Sequence, residues 1–161
     1  MAAVPAGIST LKMKVGYCAE TTAGTRPTTG YTMLQRCVSV GALAITQENL
    51  DATALDDDIK KYIAGIGDTG GSTTLKFNIS TGTATEIEGM ISAYNTAAAA
   101  SKGMWFQVWS PYMTKAFFFK GQPPQKVGMP EIGVNTVMQV DVPITVEEYA
   151  GLETGSEPTA A

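Results

Sequence analysis

The chain has 161 residues, a size at which one domain buries an adequate core without disulfide or metal staples. Its hydrophobic content is 44% and its charged content only 16%, a globular composition with much neutral surface left for contact with other protein. A net charge of −4, with no Lys or Arg after Lys126, argues against a simple nucleic-acid-binding module, which needs clustered cations to neutralise phosphate. No apolar run approaches the ~20 residues that cross a bilayer. The opening MAAVPAGIST lacks the charged and apolar regions of a signal peptide. No membrane association or export is expected, so reduced thiols are the default for Cys18 and Cys37, whose spacing matches no metal pattern.

In chain order, residues 1–10 read as a flexible arm and residues 11–151 as one domain. Leu11, Met13, Val15 and Tyr17 alternate with Lys12, Lys14 and Gly16, the period of a half-buried strand. A turn-rich stretch from Cys18 to Arg36 follows, then a second strand from about Cys37 to Thr46. The small residues Ser39, Gly41, Ala42 and Ala44 in it imply close approach of another backbone. Residues 47–72 hold no strand pattern and read as a long loop. Its apolar anchors Leu55, Ile59, Tyr62, Ile63 and Ile66 mark it as an ordered arm that docks on something, since disordered linkers rarely keep so many. Leu75, Phe77 and Ile79 define a third strand.

The one helix is expected over residues 85–101, with Thr85 and Glu88 as a capping box and Gly103 as its left-handed stop. Further strands are expected at Met104–Trp109, Lys115–Lys120 and Asn135–Val146. Pro143 places the last of these at an edge or a bulge. The consecutive Phe117, Phe118 and Phe119 must point to both faces, so the sheet there should be covered on both sides. Residues 152–161 read as a flexible acidic tail. The sum is a mainly β fold with one α-helix, an antiparallel sandwich or barrel flanked by that helix and the long loop.

Catalytic chemistry has little to work with. The chain has no histidine, which removes the commonest general base and metal ligand. Asp56, Asp57 and Asp58 lack calcium-loop spacing and read as a solvated acidic patch. The run Gly65 to Gly71 has no Gly-Lys-Ser/Thr ending and precedes a strand, so turn chemistry explains it better than phosphate binding. The aromatics Trp105, Phe106, Trp109, Tyr112 and Phe117 to Phe119 read as core or subunit interface. Neither an enzyme nor a cofactor is expected.

The block from Ala52 to Asp68, with Thr53, Leu55, Asp56, Asp57, then Lys60, Tyr62, Ile63 and Gly65, followed by Thr73-Thr74-Leu75-Lys76-Phe77, resembles the major tail proteins of long non-contractile phage tails. The resemblance implies a β-sandwich subunit that closes into hexameric rings, which stack into a hollow tube for DNA. It implies residence in the virion, with the host cytoplasm as the place of assembly. Copies of itself are the main partner, with tape measure, tail terminator and tail tip proteins beside them, and DNA passing without specific binding. It places contact with the adjacent ring on Leu55, Asp57, Ile59, Lys61, Tyr62, Ile63 and Asp68. The polar face of the last strand, carrying Asn135, Gln139, Asp141 and Thr145, is the candidate lumen wall, because a neutral or acidic surface does not hold phosphate. The alternatives are a monomeric Ig-like module that binds a ligand or glycan, and another phage part such as a tail terminator or capsid decoration protein.

Overall fold

Period-two alternation becomes strand wherever one face finds a core, and the computed structural model, which describes residues 6–160, has nine strands and one helix among them. The strands are β1 (Lys14–Ala19), β2 (Thr32–Leu34), β3 (Cys37–Val40), β4 (Thr46–Asp51), β5 (Tyr62–Asp68) and β6 (Ser72–Asn78) before helix α1 (Thr81–Ala99). After it come β7 (Met104–Trp109), β8 (Lys115–Gln122) and β9 (Gln139–Thr154). Seven strands form one antiparallel sheet in the order β2-β1-β7-β8-β9-β6-β3, and β4 pairs with β5 in a separate two-stranded sheet. The mainly β, one-helix, antiparallel expectation therefore holds. The sheet is not closed into a barrel. It is strongly curled nonetheless: β2 and β3 are its two opposite edges, yet only Gln35 and Arg36 separate them. Three Cα steps span at most about 11 Å, so the edges must lie close together.

One face of the curl holds the main core. Val15, Phe77, Phe106, Phe119, Val142 and Ile144 pack there with Ile87, Met90 and Ile91 of α1. The helix starts earlier than the Thr85–Glu88 box predicts. Ser80 is the N-cap: its hydroxyl accepts the Thr83 amide at 3.4 Å, and its own amide donates to Thr83 Oγ1 at 2.6 Å. Threonine fills the place usually given to Glu, so the pattern escapes a search for an acidic residue. Thr85 is inside the helix and donates back to Thr81 O at 2.9 Å. The stop also differs. Ser101 takes the left-handed position, at φ 58, rather than Gly103.

Gly103 instead makes room for Lys120: a Cβ there would lie 2.2 Å from Lys120 Cε and would push that side chain aside. It sits beside the buried Glu20, whose carboxylate accepts from the amides of Gly24 (2.8 Å) and Gly103 (3.2 Å) and from Trp105 Nε1 (3.0 Å), and pairs with Lys120 at 3.1 Å. Burial pushes the Glu20 pKa up, but these four donors together outweigh it and bring it down to about 2. The cluster ties β1, β7 and β8 to the end of α1.

The opposite face of the sheet carries a second cluster, Tyr31, Trp105, Ala116 and Phe118. Phe118 and Phe119 are thus buried on opposite faces, as three consecutive phenylalanines require. The cover on this side is the C-terminal segment, which corrects the expectation of a flexible tail over residues 152–161. Strand β9 continues to Thr154 because β8 pairs with it as far as Lys115↔Thr154, through two bulges. Beyond it, Gln107 Nε2 donates to Ser156 O at 2.7 Å, the Met33 amide donates to Thr159 O at 2.7 Å, and the Thr159 amide donates to Tyr31 O at 3.1 Å. Lys14 pairs with Glu157. The close fit excludes side chains: a Cβ on Gly155 would lie 2.7 Å from Phe118, and one on Gly16 would lie 2.9 Å from Pro158.

Several strand limits move for local reasons. Lys12, at φ 60, breaks the extended chain, so β1 begins at Lys14 and Leu11 is exposed. Asn135, at φ 55, delays β9 to Gln139. Gly41 closes β3 against β6; its amide donates to Thr74 O at 2.9 Å, and a Cβ there would lie 2.7 Å from Thr73 Oγ1. The close backbone approach read from the small residues is found at that position. Pro143 tolerates its central strand because the Val146 amide donates to Gly71 O, so even-numbered amides of β9 face β6. Its nitrogen points the other way, past Gln122, where the pairing of β8 has ended. Residues 1–5 of the expected N-terminal arm and Ala161 lie outside the described residues.

Candidate assembly hairpin

The segment 47–72, expected as a loop, is instead mostly a β-hairpin. Strands β4 and β5 pair from Thr46↔Asp68 to Asp51↔Tyr62, with a bulge between Gln47 and Asn49. Residues 52–61 form its tip. The hairpin escapes a search for alternation because neither of its faces is a core face. Leu50 and Ile63 share one face and Tyr62 lies on the other, so apolar residues occur on both. The glycines split in role: Gly70 and Gly71, both at φ 83, make a turn, as expected of the whole run. Gly65 and Gly67 lie inside β5, where a Cβ would meet Glu48 O at 3.1 Å and Ile45 Cγ2 at 2.7 Å.

Polar bonds hold the tip in shape. The Ala54 amide donates to Asp57 Oδ2 at 2.8 Å, the Thr53 amide to Asp51 Oδ1 at 2.9 Å, and the Lys61 amide to Thr53 Oγ1 at 3.0 Å. Lys61 pairs with Asp57. The Lys61 ammonium, then the Ala54 amide, hold the Asp57 carboxyl below its ordinary range. Asp57 and Lys61 therefore shape the tip, whereas the apolar side chains beside them do nothing for the fold. Leu55 is fully exposed, Ile59 is 77% exposed and Ile66 is 91% exposed, with Tyr62 and Ile63 more than half exposed.

The hairpin thus brings together six of the seven residues read as the contact site: Leu55, Asp57, Ile59 and Lys61 in the tip, and Tyr62 and Ile63 at the adjoining end of β5. Asp68 is apart from them. It sits at the root, where its carboxylate accepts the Gly70 amide at 2.9 Å. Six carboxylates and two lysines give residues 46–68 a net charge of −4, equal to that of the whole chain. The other nine acidic and nine basic residues cancel.

Of the candidate lumen-wall residues, Gln139, Asp141 and Thr145 share the face of β9 opposite the core, and Asn135 lies in the turn before the strand. Gln139 Nε2 donates to Asn78 Oδ1 at 2.9 Å, and Lys76 stands 3.8 Å from Asp141. The face is polar and charge-paired. Sequence reasoning missed a second exposed apolar stretch in the irregular segment before β9, with Met129, Ile132, Val134 and Val137. Its one signal was Val137, an apolar residue on an otherwise polar face.

Among the described residues no group of three or more His, Cys, Asp or Glu could hold a metal ion, and no helix is long and apolar enough to cross a membrane. Cys18 and Cys37 are unpaired, and burial pushes both thiols up, Cys37 to about 11. Trp105, Phe106, Phe118 and Phe119 are buried, which leaves no platform of these rings for stacking a ligand. Compared with protein-family models and with curated proteins, the chain matches neither a family nor a relative.

Proposed function

We propose that this chain is a structural subunit that assembles with copies of itself into rings, stacked as a tube in the manner of the major tail proteins of long non-contractile phage tails. One observation carries the reading: a two-stranded hairpin forms a sheet of its own, with apolar side chains exposed on both of its faces and at its tip. A two-stranded hairpin is marginal in water on its own. Exposed apolar surface of this kind marks a contact with other protein. The block that carries the resemblance, residues 52–77, covers the tip of this hairpin, all of β5 and most of β6. The charge-paired face of β6 and β9 suits a wall past which DNA slides without binding. Tape measure, terminator and tip proteins would then be partners at the ends of the tube, in the virion, after assembly in the host cytoplasm.

The test is negative-stain microscopy and sedimentation of the purified protein over a wide concentration range. Rings or stacked rings are expected. A monomer at every concentration and ionic strength would overturn the reading and favour a binding module.

A further inference from the structure

The curl of the seven-stranded sheet leaves an apolar groove near the meeting of its edges, a cavity of about 590 Å³. Val15, Val38, Val40, Leu43, Phe117 and Tyr149 are in its wall. No residue of α1 and no charged side chain lines it. Two cations bracket it. Lys12 lies between the lining residues Thr10 and Met13, and Arg36 immediately precedes the lining residue Cys37. Both are exposed and both are held at φ 60, a conformation that costs a long side chain energy. Among the described residues neither makes an ion pair. The carboxylate of Glu86, near this rim, is engaged by the Gln35 amide at 2.8 Å.

We infer that this groove is the acceptor for the hairpin tip of a second copy of the chain, with Leu55 and Ile59 entering the groove and Asp56 and Asp58 facing Lys12 and Arg36. The inference rests on the assembly reading above and specifies where the hairpin goes. Charge complementarity selects the occupant. The hairpin has exposed apolar residues and a net charge of −4, and the groove is apolar with Lys12 and Arg36 adjoining its lining residues. The anion that adjoins the lining, Glu148, has Lys120 beside it. Another depression among the described residues, about 450 Å³, has Lys76, Glu131 and Asp141 in its lining, the wrong sign for an acidic arm. The hairpin does not fill its own groove. It leaves the groove wall near Leu43, and the six residues of β4 carry the tip about 20 Å away. Donor and acceptor are therefore different surfaces of one subunit. Such a contact is heterologous, and it propagates as a ring or a filament rather than closing as a dimer.

Cross-linking tests the placement. Two chains are prepared with Cys18→Ser and Cys37→Ser, one also carrying Val38→Cys and the other Leu55→Cys, so each has one thiol. Mixed under assembling conditions and oxidised, they should give a covalent heterodimer that neither chain gives alone. A Leu55-to-Leu55 product, or no product in assembled material, would overturn the placement. So would an intramolecular link when both cysteines are put on one chain.

A charge swap in the native cysteine background gives a second readout. Lys12→Glu with Arg36→Glu should raise the concentration for half-assembly at least tenfold, and adding Asp56→Lys with Asp58→Lys should bring it back. Assembly indifferent to the swap would overturn the groove while leaving the tube reading intact. A wild-type chain that never assembles would overturn both.

Discussion

Replacing Leu55 and Ile59 by alanine separates assembly from folding. Both side chains are exposed in the isolated chain, Leu55 fully, so truncation removes no contact from the core. Surface substitutions of this kind stay within about 0.5 kcal/mol of wild type, and the thermal midpoint should hardly move. The association energy should behave differently. Each replacement deletes roughly three carbons' worth of apolar burial at a contact, about 2 kcal/mol at ~0.8 kcal/mol per CH₂. Together they amount to about 4 kcal/mol, or about a thousandfold in the dissociation constant of one contact. Light scattering against protein concentration, paired with a thermal melt of the monomer, reads both quantities. A half-assembly concentration that shifts less than threefold would refute the argument that these side chains are buried between subunits. So would a midpoint that falls in step with assembly.

Three further outcomes follow from named contacts. Glu20 has a folded pKa of about 2 against an ordinary 4.5, so its contribution to stability is complete above about pH 4.5 and is lost as pH falls towards 2. Glu20→Gln should lower the denaturation midpoint at pH 7 and flatten its dependence between pH 4.5 and 2; an unchanged slope there would show that the cluster does not bind the carboxylate. Truncation after Thr154 removes the bonds from Gln107, Met33 and Thr159, each worth about 0.5–1.5 kcal/mol, and uncovers Phe118. It should lower denaturant stability by several kcal/mol, and a wild-type melt would mean the segment is not docked. Gln139→Lys with Asp141→Lys should make assembled material retain duplex DNA at low salt and release it as salt rises. Equal retention by wild type would dismiss β9 as the lumen wall.

Much of the fold was legible because burial writes itself into alternation. Val140, Val142, Ile144 and Val146 are all buried, and so are Leu75 and Phe77. Strand β7 has the limits that its sequence gives, Met104–Trp109. The misses share a cause: the stabilising partner was a backbone or a distant segment. The three residues of β2 are held between β1 and Thr159, and nothing within Thr32–Leu34 signals either contact. The tail reads as mobile by composition, small and acidic, but Gly155 fits where a Cβ would clash with Phe118, and Pro158 packs against Gly16. Ser80 and Thr83 cap α1 with hydroxyls where an acidic residue is the usual signal.

The candidate site was legible for the opposite reason. The apolar residues at 55, 59, 62, 63 and 66 follow no strand or helix period that a core would impose, and in the folded chain they serve none. On the assembly reading proposed above, these exposed apolar residues find their partner on another subunit. What the sequence could not reveal was the hairpin, since its register is set by backbone pairing and by Gly65 and Gly67, not by a buried face. Nor could it reveal the groove, which exists only because Gln35 and Arg36 draw the two edges of the sheet together. The separation of charge joins the two halves. The tip of the arm does not occupy the groove of its own chain, since Leu55 and Ile59 stay exposed. On the placement proposed above, the apolar surface and the cations that suit it are those of another copy. Raising salt should therefore slow the first encounter of subunits more than it loosens the finished contact, because the charges steer and the aliphatic side chains hold.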